Sequence, residues 1–255
     1  MKRVLCSEMP RKGHPVLLVE SEAQHLTRVL RLKDGDAVEA MDGKGHSARV
    51  ILRTRGGPPR VEFSTQESTE AQLKQEEEAS VLPITLEMAM LKGEAMEWVI
   101  EKSVELGVDR LVPVLTAHTI IQFKNKGPEA FQERWQKISD QALKQCGRLR
   151  SMKVEAPIKL DELIMNSPPG SLRLWCDERS VSEGSHLSKW LRSWKKPGPI
   201  SLLVGPEGGW SDFEYEMITK SPGQTEKVVL GPLVLRAETA AISGLTLVAG
   251  EFWSR

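Results

Sequence analysis

The sequence predicts an α/β fold with a mainly parallel sheet, preceded by a small β-rich module. From residue 81 onward, candidate strands alternate with helical stretches, which is typical of βαβ units. The first 63 residues instead carry short β-compatible runs separated by turns. A chain of 255 residues suits two unequal domains. We expect residues 1–75 to form the first domain with its linker, and residues 76–255 to form the second.

The N-terminal module contains two Asp-Gly pairs, Asp34-Gly35 and Asp42-Gly43, between runs that favour strands. Asp-Gly is a hairpin signal because both residues tolerate the positive φ angles of a tight turn. The pairs favour a small β-barrel or another β-rich module, with one short helix over "EAQHLTRVLRL". Residues Ser64 to Ser80 are polar and acidic, which is typical of a solvated linker or a poorly ordered loop.

A 3.6-residue apolar period predicts two long helices in the second part of the chain. Each is followed by a glycine, Gly107 or Gly147, that can adopt the positive φ of a helix C-cap. Their apolar stripes comprise Met96, Val99, Ile100 and Ser103 in the first helix, and Phe131, Trp135, Ile138 and Ala142 in the second. Candidate strands are "VLPITLEMAML", "DRLVPVL", "SLRLWC", "ISLLVG" and "KVVLG", with further helix-like stretches around Glu183 to Trp194 and Asp212 to Met217.

Composition argues against several classes of protein. The three cysteines, Cys6, Cys146 and Cys176, are scattered without a Cys-x-x-Cys spacing, so we expect neither a disulfide framework nor a metal site. No apolar run reaches the roughly 18 to 20 residues of a membrane span, and no signal-peptide core is present, so we expect a cytoplasmic protein without a membrane partner. The formal net charge of zero does not by itself indicate a nucleic-acid partner.

Two strands end in Gly-Pro turns, within "LLVGPEGGWS" and "LGPLVLRAETAA". At the carboxyl end of a parallel strand, glycines let backbone N–H groups approach a ligand without an intervening Cβ. The alternative is a tight turn in which Pro206 fixes φ and the chain merely reverses. No Walker A lysine and no G-x-G-x-x-G spacing occurs, so phosphate cradling and dinucleotide binding are disfavoured.

Arg236 follows the second turn and precedes a predicted helix that is apolar nearly all round from about Ala237. A helix without a polar face must be buried, either in the core of this chain or against a second copy. Arg236 is then either a solvated end charge or a fixed cation for an anionic substrate.

Five stretches in this order carry a resemblance over almost the whole chain: "HLTRVLRLKDGDAVEAMDGKG", "KGEAMEWVIEKSVELGVDRLVPV", "QALKQCGR", "LLVGPEGGWSDFE" and "LGPLVLRAETAA". Together they resemble the RsmE family of 16S rRNA uracil-N3 methyltransferases in the SPOUT superfamily. The resemblance implies an N-terminal PUA-like RNA-binding β-barrel and a SPOUT-type α/β domain with a trefoil knot, acting as a homodimer. It also implies S-adenosyl-L-methionine (AdoMet) as methyl donor, and 16S rRNA or the small ribosomal subunit as partner.

The resemblance also implies the residues of the cofactor site. A neutral adenosine needs backbone hydrogen bonds and apolar contacts, which glycine- and leucine-rich strand ends provide. Arg236 would stabilise charge on the uracil, and Glu238 is a candidate base for its N3 proton. Glu207 could take part in the chemistry directly, or its carboxylate could instead cap the N–H groups at the start of the following helix. The residues of the AdoMet pocket would be Leu203, Val204, Gly205, Pro206, Glu207, Gly208 and Gly209 on one wall, and Leu230, Gly231 and Leu235 on another.

Basic residues are the candidates for RNA contacts, although a solvated charged surface is the alternative. Leu233 stands where the family commonly has a basic residue, and His118 stands where an arginine is frequent. Two other functions stay open: a SPOUT methyltransferase acting on another RNA site, and a non-catalytic RNA-binding or ribosome-assembly factor. The candidate RNA contacts are Arg3, His25, Arg28 and Arg31 in the N-terminal module, with Arg148 and Arg150 as a basic rim.

Overall fold

The computed structural model of the protein describes residues 2–63, 73–75, 83–119, 127–167, 171–180, 185–194 and 198–253. The chain divides into two compact units. Unit 1 comprises Met1–Ala79 together with Leu143–Ser151, and unit 2 comprises Ser80–Ala142 and Met152–Arg255. A second segment of the chain therefore belongs to unit 1 in addition to its N-terminal part.

Unit 1 is built on a six-stranded sheet with the order β1-β3-β4-β5-β2, in which β6 also pairs with β4. β1 and β3 run parallel, and the other pairs are antiparallel. Apolar side chains that include Val4, Leu26 and Val50 form its buried core. The elements are β1 (Arg3–Leu5), β2 (Val16–Leu17), α1 (Glu20–Gln24), a π-helix (His25–Val29), β3 (Ala37–Met41), β4 (His46–Arg53), β5 (Arg60–Glu62) and β6 (Leu73–Gln75).

The hairpin predicted at Asp42-Gly43 is confirmed, because this pair begins the turn between β3 and β4. The Asp42 carboxylate accepts hydrogen bonds from the backbone N–H groups of Lys44 at 2.7 Å and His46 at 3.1 Å. Burial acts to raise the pKa of Asp42, but these donors and the His46 imidazole outweigh it and hold the pKa below its usual range. The carboxylate thus stabilises the turn in its ionised form.

The hairpin predicted at Asp34-Gly35 is wrong, because this pair joins the π-helix to β3 rather than two strands. The Asp34 carboxylate instead accepts the N–H groups of Thr54 and Arg55 at the end of β4. The short helix predicted over "EAQHLTRVLRL" is present as α1 and the π-helix. Most of the expected linker, Ser64 to Ser80, lies outside the described residues, but Leu73–Gln75 within it forms β6.

Unit 2 contains an eight-stranded sheet with the order β10-β8-β7-β13-β11-β14-β12, in which β9 also pairs with β8. Its described pairs are parallel, so the predicted α/β class is confirmed. The elements are β7 (Ile84–Ala89), α2 (Glu94–Glu105), β8 (Arg110–Leu115), α3 (Gly127–Cys146, which ends in unit 1), β9 (Lys153–Val154), β10 (Ile158–Lys159), α4 (Leu160–Met165), β11 (Leu172–Cys176), a 3₁₀ helix (Glu178–Ser180), β12 (Ser185–His186), α5 (Leu187–Ser193), β13 (Ile200–Val204), α6 (Asp212–Thr219), β14 (Gln224–Val229) and α7 (Ala237–Trp253).

Both long helices predicted from periodicity are confirmed as α2 and α3, and the glycines after them have positive φ. Helix α7 packs on α2, α5 and β13. It approaches β13 so closely that a Cβ on Gly244 would lie 2.8 Å from Leu202 Cδ2. Ala241, Leu245 and Val248 of α7 are fully buried. The core of unit 2 therefore buries much of the apolar surface of this helix.

A buried ion pair crosses the parallel sheet. Arg173, the second residue of β11, donates from Nε and Nη2 to the two carboxylate oxygens of Glu87 on β7, at 2.5 and 3.0 Å. Their side chains are 6% and 3% exposed. β13 lies between these strands, and its residue in register with Arg173 is the small Ser201. Since each charge is satisfied by the other, removal of one leaves a buried charge without compensation.

We expect Glu87→Gln to lower the free energy of unfolding by about 3 kcal/mol, because it leaves the Arg173 guanidinium buried and uncompensated. The matched control is Glu97→Gln, which alters the largely exposed pair with Arg134 and should cost less than about 1 kcal/mol. Urea unfolding followed by tryptophan fluorescence measures both. Equal effects of the two substitutions would contradict the stabilising role of the buried pair.

Candidate functional site

A cleft with a volume of about 500 Å³ lies in unit 2, where β11, β13 and β14 end. In the sheet, β11 lies between β13 and β14, and all three run parallel. The segments that follow them therefore meet at one edge, which is where open α/β sheets bind ligands. The volume falls within the range of about 300–1,000 Å³ that is typical of small-molecule sites.

The segment after β13 forms the first wall, and most of its predicted pocket residues line the cleft. Those that do are Val204, Gly205, Pro206, Glu207 and Gly209. The predicted Leu203 and Gly208 are not among the lining residues. Because side chains alternate along a strand, Leu203 faces the opposite side from Val204 and packs in a core cluster with Trp175 and Trp210.

The segment after β14 forms the second wall. All the residues predicted there line the cleft: Leu230, Gly231, Leu235, Arg236 and Glu238. Leu233 and Val234 also line it, although they are 73% and 71% exposed. The structure thus brings the two predicted catalytic residues together with the two predicted walls.

The segment after β11 forms a third wall, which the sequence reasoning missed. Cys176, Asp177 and Glu178 line the cleft there. Burial first, and the nearby Glu178 carboxylate second, raise the pKa of the Cys176 thiol to about 12, so this thiol stays protonated at neutral pH. The sequence signal for this wall was the pair of acidic residues directly after a buried strand. The sequence does not reveal that this strand, β11, lies between β13 and β14.

Side chains from neighbouring segments hold the glycine-rich wall. Ser211 and Glu214 cap α6 reciprocally, so the capping role weighed for Glu207 is filled by other residues. Glu214 also accepts the backbone N–H of Ala117 at 2.7 Å. The His118 Nδ1 atom lies 2.7 Å from the carbonyl oxygen of Gly209. Since a carbonyl can only accept, Nδ1 is the nitrogen that carries the proton.

Charged side chains on the described walls are mostly acidic. They are Asp177, Glu178, Glu207 and Glu238, with Arg236 as the cation. This arrangement favours a ligand that carries positive charge over one that carries several phosphates.

The predicted RNA contacts lie in unit 1, and two of them make contacts within this unit. Arg3 pairs with Glu39 at 3.0 Å and donates to the carbonyl oxygens of Lys144 and Gln145 at the end of α3. Arg150 donates to the carbonyl oxygen of Lys44 at 3.2 Å. Arg28 and Arg31 are exposed, whereas His25 and Arg148 are half-buried. Their contacts with RNA stay predictions.

Among the described residues, no helix is long and apolar enough to span a membrane. In the same part of the chain, no three histidine, cysteine or acidic side chains are grouped as metal ligands would be.

Comparisons with known proteins agree on one family. A family model described as an RNA methyltransferase domain matches residues 77–249, and one described as an RNA methyltransferase PUA domain matches residues 20–56. The chain is 32% identical to ribosomal RNA small subunit methyltransferase E of Synechocystis, over 91% of this chain and 72% of that protein. It is 27% identical to the protein of the same name from Bacillus subtilis, over 89% of this chain and 87% of that one.

Two solved structures are similar over nearly their full length. The first is a methyltransferase from Legionella pneumophila in complex with its cofactor SAM, with a TM-score of 0.83, 26% identity, and coverage of 98% of this chain and 97% of that one. The second is a ribosomal RNA small subunit methyltransferase E from Neisseria gonorrhoeae bound to S-adenosyl methionine. Its TM-score is 0.79, its identity is 27%, and the coverage is 96% and 95%.

Two glycines of the cleft allow a matched test of its first wall. A Cβ on Gly205 would lie 2.8 Å from Nε1 of the buried Trp210, whereas a Cβ on Gly231 would meet nothing within 4 Å. We expect Gly205→Ala to lower the free energy of unfolding by about 1–3 kcal/mol through overpacking. Gly231→Ala should stay within about 0.5 kcal/mol of the parent. Thermal unfolding measures the stability of both variants. A Gly205→Ala protein as stable as the parent would show that the first wall is loosely packed.

Proposed function

Because the chain belongs to the RsmE family of ribosomal RNA small subunit methyltransferases, we propose that it transfers the methyl group of AdoMet to N3 of a uridine in 16S rRNA. The observation that carries this proposal is the cleft at three adjacent strand ends. It combines glycine-rich backbone walls with Arg236 and Glu238 on one rim. Such walls suit a neutral nucleoside, and they lack the lysine that a phosphate loop would supply.

The residues of the three walls fit AdoMet. Backbone and apolar groups after β13 and β14 would hold the adenosine, as the resemblance implies for Gly205 and Leu235. The carboxylates of the cleft suit a ligand with a cationic sulphur and an ammonium group. When bound, AdoMet supplies an electrophilic methyl group on a sulfonium centre. The two similar structures that contain this cofactor support the assignment.

The residues of this chain must position the uracil N3 atom against the methyl group and remove the N3 proton. The N3–C bond forms as the C–S bond breaks, with its electron pair left on the sulphur, so the N3 atom must lie in line with that bond. N3 also loses its proton, and we propose that the Glu238 carboxylate accepts it. The Arg236 guanidinium stabilises the negative charge that develops on the uracil ring. Both residues line the same cleft.

The finer architecture belongs to the same proposal. β13 and β14 both follow β11 in the chain and flank it on either side, an arrangement compatible with a trefoil knot around the cleft. The mainly antiparallel sheet of unit 1 supports a PUA-like β-barrel that binds RNA. Two exposed apolar side chains that line the cleft, Leu233 and Val234, would supply surface for a second copy in a homodimer. A cytoplasmic location fits the ribosomal substrate.

The test of the reaction is transfer of label from methyl-labelled AdoMet to 16S rRNA or to small ribosomal subunits, followed by mapping of the modified nucleotide. Label at N3 of one uridine supports the proposal. Label at another RNA site would identify a different methyltransferase. Absence of AdoMet uptake in calorimetry would instead identify a non-catalytic RNA-binding or assembly factor.

We expect Arg236→Ala to lower kcat about 100-fold or more, because it removes the cation that stabilises the transition state. AdoMet binding, measured by calorimetry, should change much less. The matched control is Arg192→Ala, an exposed arginine on α5, which should methylate at the parent rate. A near-parent kcat for Arg236→Ala would remove this residue from the mechanism.

The exposed arginines of unit 1 allow a separate test of RNA binding. We expect the double charge reversal Arg28→Glu and Arg31→Glu to weaken rRNA binding and to reduce the salt slope by roughly two. Reversal of Lys189 and Arg192 on α5, which changes the net charge equally, is the control. A salt titration in which both double variants behave alike would reject the contacts assigned to unit 1.

A further inference from the structure

The third wall of the cleft is held by side chains on the far side of the sheet. Asp177, at the end of β11, is 2% exposed and lines the cleft. Its backbone N–H donates to the carbonyl oxygen of Val228 on β14 at 3.1 Å. Its carboxylate accepts the N–H of Arg179 at 3.0 Å and the hydroxyl of Tyr215 at 2.8 Å. A residue that lines the cleft is thus hydrogen-bonded to a residue of α6.

The hydrogen bonds through Tyr215 have one possible direction. Lys227 Nζ lies 3.0 Å from the Tyr215 hydroxyl. An ammonium can only donate and a carboxylate can only accept, so Lys227 donates to the hydroxyl and the hydroxyl donates to Asp177. A hydroxyl that accepts from a cation and donates to an anion makes stronger hydrogen bonds than a neutral pair would.

The register of the sheet explains why this network lies behind the cleft. Trp175 and Lys227 are in register on β11 and β14, so their side chains share one face. Cys176 and Val228, one residue later, share the other face and line the cleft. The Lys227 ammonium lies 5.2 Å from the centre of the Trp175 ring and 4.5 Å from that of Tyr215.

Arg179 joins the same network to the glycine-rich wall. Its guanidinium lies 4.7 Å from the centre of the Tyr215 ring and donates to the carbonyl oxygen of Trp210. It also pairs with Asp212 at 2.9 Å, at the start of α6. Tyr215 itself contacts the segment after β11 and the strand β14, and Arg179 extends the network to the segment after β13.

Resting on the proposed function, we propose that Tyr215 is a positioning residue for AdoMet binding: its hydroxyl, fixed by Lys227, holds Asp177 and the third wall in the geometry that the cofactor requires. Its ring has a separate role, because it packs against Trp175 with ring centres 4.7 Å apart. Tyr215→Phe keeps the ring and removes the hydroxyl, which separates positioning from packing.

We expect Tyr215→Phe to raise the Kd and the KM for AdoMet about tenfold, since it removes a hydrogen bond to a charged group at the cleft. The KM for rRNA should change little. The unfolding midpoint should fall, because the buried Asp177 carboxylate loses one donor and keeps the N–H of Arg179. A purely structural role would lower the midpoint in the same way but leave the Kd and the KM for AdoMet unchanged. Calorimetry with AdoMet and steady-state methylation of rRNA measure these quantities on the full chain.

A pair of lysine variants provides an independent test. Lys227→Met removes the donor to the Tyr215 hydroxyl and should weaken AdoMet binding in the same direction. Lys220→Met is the control, because Lys220 is exposed and pairs with Glu216 on the outer side of α6. Parent-like AdoMet binding by Tyr215→Phe and Lys227→Met would overturn the inference while leaving the proposed function intact. Failure of the parent protein to bind AdoMet would overturn both.

Discussion

The parallel pairing of β11 with β13 on one side and β14 on the other is the constraint on which the candidate site depends. Three strands that run in one direction end at the same edge, so three short segments distant in sequence become walls of one cleft. The register then decides which side chains face it, because the direction alternates from one residue to the next. Cys176, Val204 and Val228 face the cleft, while Trp175 and Leu203 face the core.

The two faces of the sheet near this edge have different tasks. The face behind the cleft carries Trp175 and Lys227, and both contact Tyr215 of α6, which packs against them. The cleft itself is lined mainly by backbone, apolar groups and carboxylates. Side chains behind the cleft therefore hold its walls in place, and the groups that line the cleft are free to contact a nucleoside cofactor.

Much of the fold follows from local patterns. The periodicity of α2 and α3 and their glycine caps identified both helices, and short apolar runs identified the main strands. At Asp34-Gly35 the turn pattern led to the wrong prediction of a hairpin. An Asp-Gly pair indicates a turn but does not specify whether a strand or a helix precedes it. The strand Leu73–Gln75 was not predicted, because it pairs with β4 through a long-range contact. A short polar segment carries no local pattern that indicates such a pairing.

The sequence by itself determined the class of fold, the family and two of the walls, because these depend on residue types in a given order: glycines at strand ends, Arg236 and Glu238 beside them, and helical periods between. Tertiary structure alone decided the third wall and the network behind it. Asp177, Tyr215 and Lys227 are separated by up to 50 residues in the chain, and only the order and register of parallel strands bring them into contact. Strand order is set by packing of the whole sheet, so no local pattern encodes it.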